Sequence, residues 1–129
     1  MTIAYWCIFI AALLPYLWVG IGKSGTKGYD NRDPRGWMAK QSHPRVLRGN
    51  AAHLNAFEAF APFAASVLMA QAAGVHPGRI TTLAVVFIVC RVLHGVLYLS
   101  NTHALRSLAW MVGIGCVAAL MVQAALRVG

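Results

Sequence analysis

Acidic residues are nearly missing from this chain. Of its 129 residues only three are Asp or Glu, against eleven Lys and Arg, and all charged types together make up 11%. A soluble globular domain carries roughly a quarter of its residues as charges. With 59% hydrophobic residues, this chain is too apolar to be a soluble domain of its size. Cysteine is scarce as well. Cys7, Cys90 and Cys116 are odd in number, lie in apolar segments and show no C-x-x-C or zinc spacing, so they read as reduced packing residues. The first apolar stretch lacks a basic n-region and a small-residue cleavage site, which marks a retained helix rather than a signal peptide. No inverted repeat or broken hydrophobic pair points to a transporter. No base-reading motif accompanies the net charge of +8, so nucleic acid is not an expected partner. His43, His53, His76 and His103 are scattered and share no ligand spacing on one face, so no metal site is expected.

What the chain does have is four apolar stretches, each near the roughly 20 residues that span a bilayer. The expected helices run from about Ile3 to Ile21, Arg45 to Ala73, Arg79 to Leu99 and Ala104 to Arg127. The expected fold is therefore all-α, an integral membrane four-helix bundle formed by residues 1–129 as one domain. Residues 22–44 read as a polar loop, with Tyr29-Asp30-Asn31-Arg32-Asp33-Pro34-Arg35 closed into ordered turns by its Asp and Asn side chains. Lys23, Lys27, Arg32, Arg35, Lys40, Arg45 and Arg48 gather in this loop and its flank. Cytoplasmic loops are enriched in Lys and Arg. That rule puts the loop and the turn between the last two helices in the cytoplasm, and both termini outside. Arg79 and Arg127 on the other side are too few to reverse it.

Two charges interrupt the apolar stretches, Glu58 and Arg91. Charges at the centre of a bilayer cost several kcal/mol and usually face a bundle interior, where they pair. Arg48, Asn55 and Glu58 fall within an arc of about 80° on their helix, and Arg91, His94 and Tyr98 within about 60° on theirs. Glu58 and Arg91 each lie about 15 Å from the same membrane face. A Glu58–Arg91 pair is thus expected. Pro62 also leaves the Glu58 carbonyl without its helical donor, an acceptor for Arg91 or His94. Both stripes lead toward a basic rim holding Arg48 and Arg106, the shape expected of a pocket for an anionic, partly polar ligand.

These residues resemble the MAPEG superfamily, the membrane-associated proteins in eicosanoid and glutathione metabolism. Arg48-Gly-Asn-Ala-Ala-His53-Leu-Asn55-Ala-Phe-Glu58, followed by Phe60-Ala-Pro62-Phe63, looks like the family's second-helix pattern. Arg91-Val-Leu-His94-Gly-Val-Leu-Tyr98 and Ala104-Leu-Arg106-Ser107 look like its third and fourth helices. The Asp30–Arg35 segment is closest in style to bacterial members, which would place the protein in a bacterial inner membrane. The resemblance implies a homotrimer that binds glutathione between subunits near the cytoplasmic face. It implies a glutathione-dependent transferase or peroxidase acting on lipophilic electrophiles. Arg48, His53, Asn55, Glu58, Arg91, His94 and Tyr98 would line the glutathione pocket, with Glu58 near the amino group. Arg106 would stabilise the thiolate, with Ser107 beside it. Membrane lipids and a lipophilic small molecule are the other implied partners.

Two positions depart from the pattern. Ala51 stands where many catalytic members carry a basic residue, and Ala59 where leukotriene synthases carry Tyr. These departures argue against eicosanoid synthesis. They leave open a non-catalytic structural or ligand-binding membrane protein that retains the fold, in which a Glu58–Arg91 bridge closes the pocket.

Overall fold

The computed structural model describes every residue from Met1 to Gly129. It is all-helical, with α1 (Thr2–Lys23), α2 (Pro34–Ala39), α3 (Pro44–Ala72), α4 (Pro77–Leu99) and α5 (His103–Val128). Three of these helices start by one device. Asp33, His43 and His76 each precede a proline and accept a hydrogen bond from the backbone N–H of Gly36 (2.9 Å), Arg45 (3.3 Å) and Gly78 (3.1 Å). Proline suits the first helical position because its missing N–H would find no partner there, and its fixed φ is already helical. The prolines move the starts of α3 and α4 ahead of the expected Arg45 and Arg79. Pro34 also nucleates α2 inside the segment expected to hold only turns. The helix count is therefore five rather than four, with four long helices and one short one.

Helices α1, α4 and α5 are each long and apolar enough to cross a membrane, so this is an integral membrane protein. With 29 residues, α3 has the length, about 43 Å at 1.5 Å per residue. Its apolar run is broken by His53, Asn55 and Glu58. Three helices, not the expected four, are therefore apolar enough throughout.

Helix α1 packs on α3 and α4, α5 packs on the same two, and α3 meets α4 between them. The main core holds Phe63, Val67, Ile80, Phe87 and Leu120, with the Phe63 and Phe87 rings stacked at 3.9 Å. Cys7 and Cys116 join this core, and all three cysteines are free and buried. Nearer the basic loop the helices approach closely. A Cβ on Gly49 would stand 2.6 Å from the Cα of Gly22, and one on Gly95 would overlap the Trp18 ring. At the α4–α5 turn Asn101 takes the left-handed conformation, φ 61°. The Thr102 N–H closes on the Leu97 carbonyl at 3.0 Å and the Asn101 N–H on the Tyr98 carbonyl at 3.2 Å, a Schellman ending. This topology gathers the basic loop and the α4–α5 turn at one end. Both termini and the α3–α4 turn lie at the other.

The Trp18–Gly95 contact gives a stability test. Gly95→Ala should cost about 1–3 kcal/mol through overpacking. Gly115→Ala, whose Cβ would meet nothing within 4 Å, should be neutral or stabilising by up to about 1 kcal/mol from helix propensity. Unfolding in detergent, followed by circular dichroism, checks the pair. Equal behaviour of the two variants would mean that Trp18 yields freely.

Candidate functional site

Two of the three buried polar side chains sit on α4, and the third, Ser66 on α3, bonds the Phe63 carbonyl of its own helix. Arg91 and His94 are each only 4% exposed. The Arg91 Nη2 donates to the Asn55 Oδ1 on α3 at 2.7 Å. This corrects the expected Glu58–Arg91 pair. Glu58 is exposed on the outer surface of the molecule, and the one ion pair in the chain joins Arg32 to Asp30 in the loop, at 3.0 Å. The reason lies in the width of the α3 stripe. Asn55 and Glu58 are separated by about 60° around the helix. When Asn55 faces α4, Glu58 turns outward. The bond of Arg91 also runs to a side chain rather than to the Glu58 carbonyl that Pro62 leaves free.

Between α3, α4 and α5, toward the basic end, an open cleft of about 410 Å³ is lined by Asn55, His94, Tyr98, Arg106, Ser107, Trp110 and Met111. The Arg106 guanidinium lies 4.2 Å over the Tyr98 ring, within cation–π range. The His94 ring meets Tyr98 edge-on at 5.6 Å. Ser107 donates its hydroxyl hydrogen to the His103 carbonyl at 3.0 Å, which leaves the oxygen lone pairs free. A cation, a phenol, a hydroxyl and an amide thus converge in the cleft. Trp110 (44% exposed) and Met111 (61% exposed) add an apolar wall to the same cleft, one turn further along α5. Sequence reasoning missed both of these residues. They follow Arg106 and Ser107 by four residues each, one helical turn on the same face, and that spacing was the available signal.

A second cleft, of about 420 Å³, opens between α1, α2 and α3, and its lining includes Lys23, Arg35, Asn50 and His53. His53 therefore does not join Asn55. Two residues apart on a helix means about 200° of rotation. The His53 Nδ1 bonds the Pro15 carbonyl at 2.8 Å, and its ring packs edge-on against Phe57. Arg48 lines neither cleft. The loop over the second cleft is well tied. Lys23 Nζ lies 4.2 Å over the Tyr29 ring. The Arg32 guanidinium, followed by the Arg32 backbone N–H, holds the exposed Asp30 carboxyl below the usual carboxylate range.

Of the residues singled out from sequence, the first cleft gathers Asn55, His94, Tyr98, Arg106 and Ser107. Arg91 braces Asn55 from behind, whereas Arg48, His53 and Glu58 lie elsewhere. Among known proteins, the family model described as MAPEG family matches residues 3–126. No curated protein and no solved structure matches the chain.

Removing the brace should be costly. Asn55→Ala leaves the buried Arg91 guanidinium without its side-chain acceptor, and a hydrogen bond to a charged group is worth about 1.5–3 kcal/mol. Chemical unfolding in detergent should register that loss. An unchanged unfolding midpoint would show that Arg91 finds another partner.

Proposed function

This chain belongs to the MAPEG family, which includes glutathione-dependent transferases and peroxidases, and we propose that it is one of them, acting on lipophilic electrophiles. One observation carries the reading. Arg106 and Ser107 from α5, His94 and Tyr98 from α4, and Asn55 from α3 meet in a single open cleft beside the apolar wall of Trp110 and Met111. The thiolate is the reactive form of a thiol, and a nearby cation favours it. Arg106 supplies that cation, with Ser107 as a neighbouring donor. In conjugation, the thiolate sulfur forms a bond to an electrophilic carbon and the displaced electron pair moves onto the acceptor. In peroxide reduction, two glutathione thiols become one disulfide while the hydroperoxide leaves as an alcohol and water.

The residues fit this ligand. Glutathione carries two carboxylates and one ammonium group. Lys23 and Arg35 in the second cleft match the carboxylates, and Arg106 in the first matches the thiolate. The exposed Glu58 matches the ammonium. The two clefts open on different sides of one subunit, so a cyclic homotrimer brings the second cleft of one subunit beside the first cleft of the next. Such an interface is heterologous, and it closes when the rotation permits a ring. Arg48 and His53 then belong to the shared rim, and Arg91 holds Asn55 in place. The basic end faces the cytoplasm of a bacterial inner membrane and both termini lie outside. Glutathione enters from the water, and the apolar substrate arrives through the bilayer between subunits.

The alternative is a non-catalytic structural or ligand-binding membrane protein that keeps the fold, and its structural form needs a Glu58–Arg91 bridge to close the site. Arg91 bonds Asn55 instead, and the cleft stands open, which favours ligand binding.

Calorimetry with detergent-purified protein tests the proposal. Wild type should bind glutathione. Arg106→Ala and Glu58→Gln should each weaken binding about tenfold, the equivalent of about 1.4 kcal/mol. Folded wild-type protein that binds nothing at millimolar glutathione would sink the reading.

A further inference from the structure

The end of the molecule farthest from the basic loop has its own, separate charge arrangement. Arg79 stands in the first turn of α4 and Arg127 in the last turn of α5. They are the only Lys or Arg residues there, and no Asp or Glu accompanies them. Asp30 and Asp33 belong to the loop at the opposite end, and Glu58 lies midway along α3. Both guanidiniums are exposed, and neither is in the one ion pair of the chain. They nevertheless face the same space. Arg79, Gln123, Leu126 and Arg127 line a cleft of about 150 Å³ between α4 and α5. A wider cleft of about 530 Å³ continues from it past Arg79, Gln123, Thr82 and Leu83. Arg79 and Gln123 form the wall common to both. Gln123 gives one amide hydrogen to the Ala119 carbonyl at 3.1 Å, which leaves its other hydrogen and its oxygen available.

Their position along the membrane normal identifies the ligand. Arg106 to Arg127 and Arg79 to Ser100 are each separated by 21 positions, or about 32 Å of helix. The hydrocarbon core of a bilayer is about 30 Å thick. With Arg106 and Ser100 at one edge of the core, Arg79 and Arg127 share a plane at the other edge, where lipid phosphates lie. Two like charges in one cleft repel unless an anion lies between them. Guanidiniums favour phosphate oxygens, which they can bind in a two-pronged arrangement. Val75 and Leu126 line the smaller cleft and Leu83 the larger, which gives apolar walls continuous with the core.

We propose that Arg79, Arg127 and Gln123 form a binding site for the phosphate of an anionic phospholipid, with its acyl chains lying in the α4–α5 groove beside Leu83. The site is independent of the glutathione reading and lies at the opposite end of the molecule.

A phosphatidylglycerol with a photoreactive headgroup tests it, using the full-length protein in nanodiscs and peptide mapping after illumination. Label is expected on residues 76–83 and 123–127. Unlabelled phosphatidylglycerol should suppress it, and equal phosphatidylcholine should not. Arg79→Gln/Arg127→Gln should lower labelling roughly tenfold, and Arg79→Lys/Arg127→Lys should restore part of it. The single variant Arg127→Gln, at the exposed end of α5, gives the same reading if the double variant unfolds. Unchanged labelling in a folded glutamine variant would overturn the proposal, as would equal suppression by phosphatidylcholine. Suppression by glycerol phosphate as strong as by the lipid would overturn the lipid assignment in favour of a free phosphate site.

Discussion

The bond between Arg91 and Asn55 sets the rest of the arrangement. A guanidinium that is 4% exposed inside a membrane-spanning helix needs a polar partner, because water is not available to it. Asn55 is the partner, at 2.7 Å. Its position fixes the rotation of α3 about its own axis, and that rotation decides where every other polar residue of α3 points. His53 goes to α1 and bonds the Pro15 carbonyl. Glu58 goes outward. On α4, His94 follows Arg91 by three residues and so shares its face, which puts the imidazole into the cleft.

Close helix contacts support the same geometry. The Gly22–Gly49 approach and the Trp18 ring against Gly95 bring α1 tightly against α3 and α4 near the basic end. Small residues allow such approach in membranes, where van der Waals packing takes over much of the role that the hydrophobic effect has in water. The contact of α1 with α3 and α4 is thereby closed near the basic end, and the first cleft opens where α5 begins, beside Arg106 and Ser107.

Much of this was legible in the residues. The long helices followed from length and apolarity, and the polar stripes from helical angles. Other features were not legible, for physical reasons. Opposite charge and equal depth both favoured Glu58 as the partner of Arg91. Asn55 lies three residues away, about 4.5 Å along the helix, a difference too small for a depth argument to resolve. In the sequence Asp33-Pro34 reads as part of a turn, because a helix of six residues is too short to show a hydrophobic period. Trp110 and Met111 sit in a segment where apolar residues are the rule, so nothing in their type distinguished wall from lipid-facing surface. His43 and His76 offered the opposite lesson. Each precedes a proline and caps a helix, a local role that spacing analysis for metal ligands does not consider.

Glu58 gives the strongest physical argument for assembly. A polar acid side chain exposed in the apolar belt is costly against lipid tails. Within one chain it has no ion-pair partner, because it turns outward when Asn55 faces α4. In the proposed trimer, ring closure removes the lipid and gives Glu58 a polar neighbour, whether a cation from the adjacent subunit or the ammonium of the bound tripeptide. Each α3 then serves two sites at once, presenting Asn55 to one cleft and Asn50 and His53 to the other. Dissociation would therefore open all the sites together and expose all the Glu58 carboxylates together. In the proposed trimer, assembly and ligand binding would be coupled through the same residue, and a bound ligand that satisfies Glu58 would also stabilise the ring by mass action.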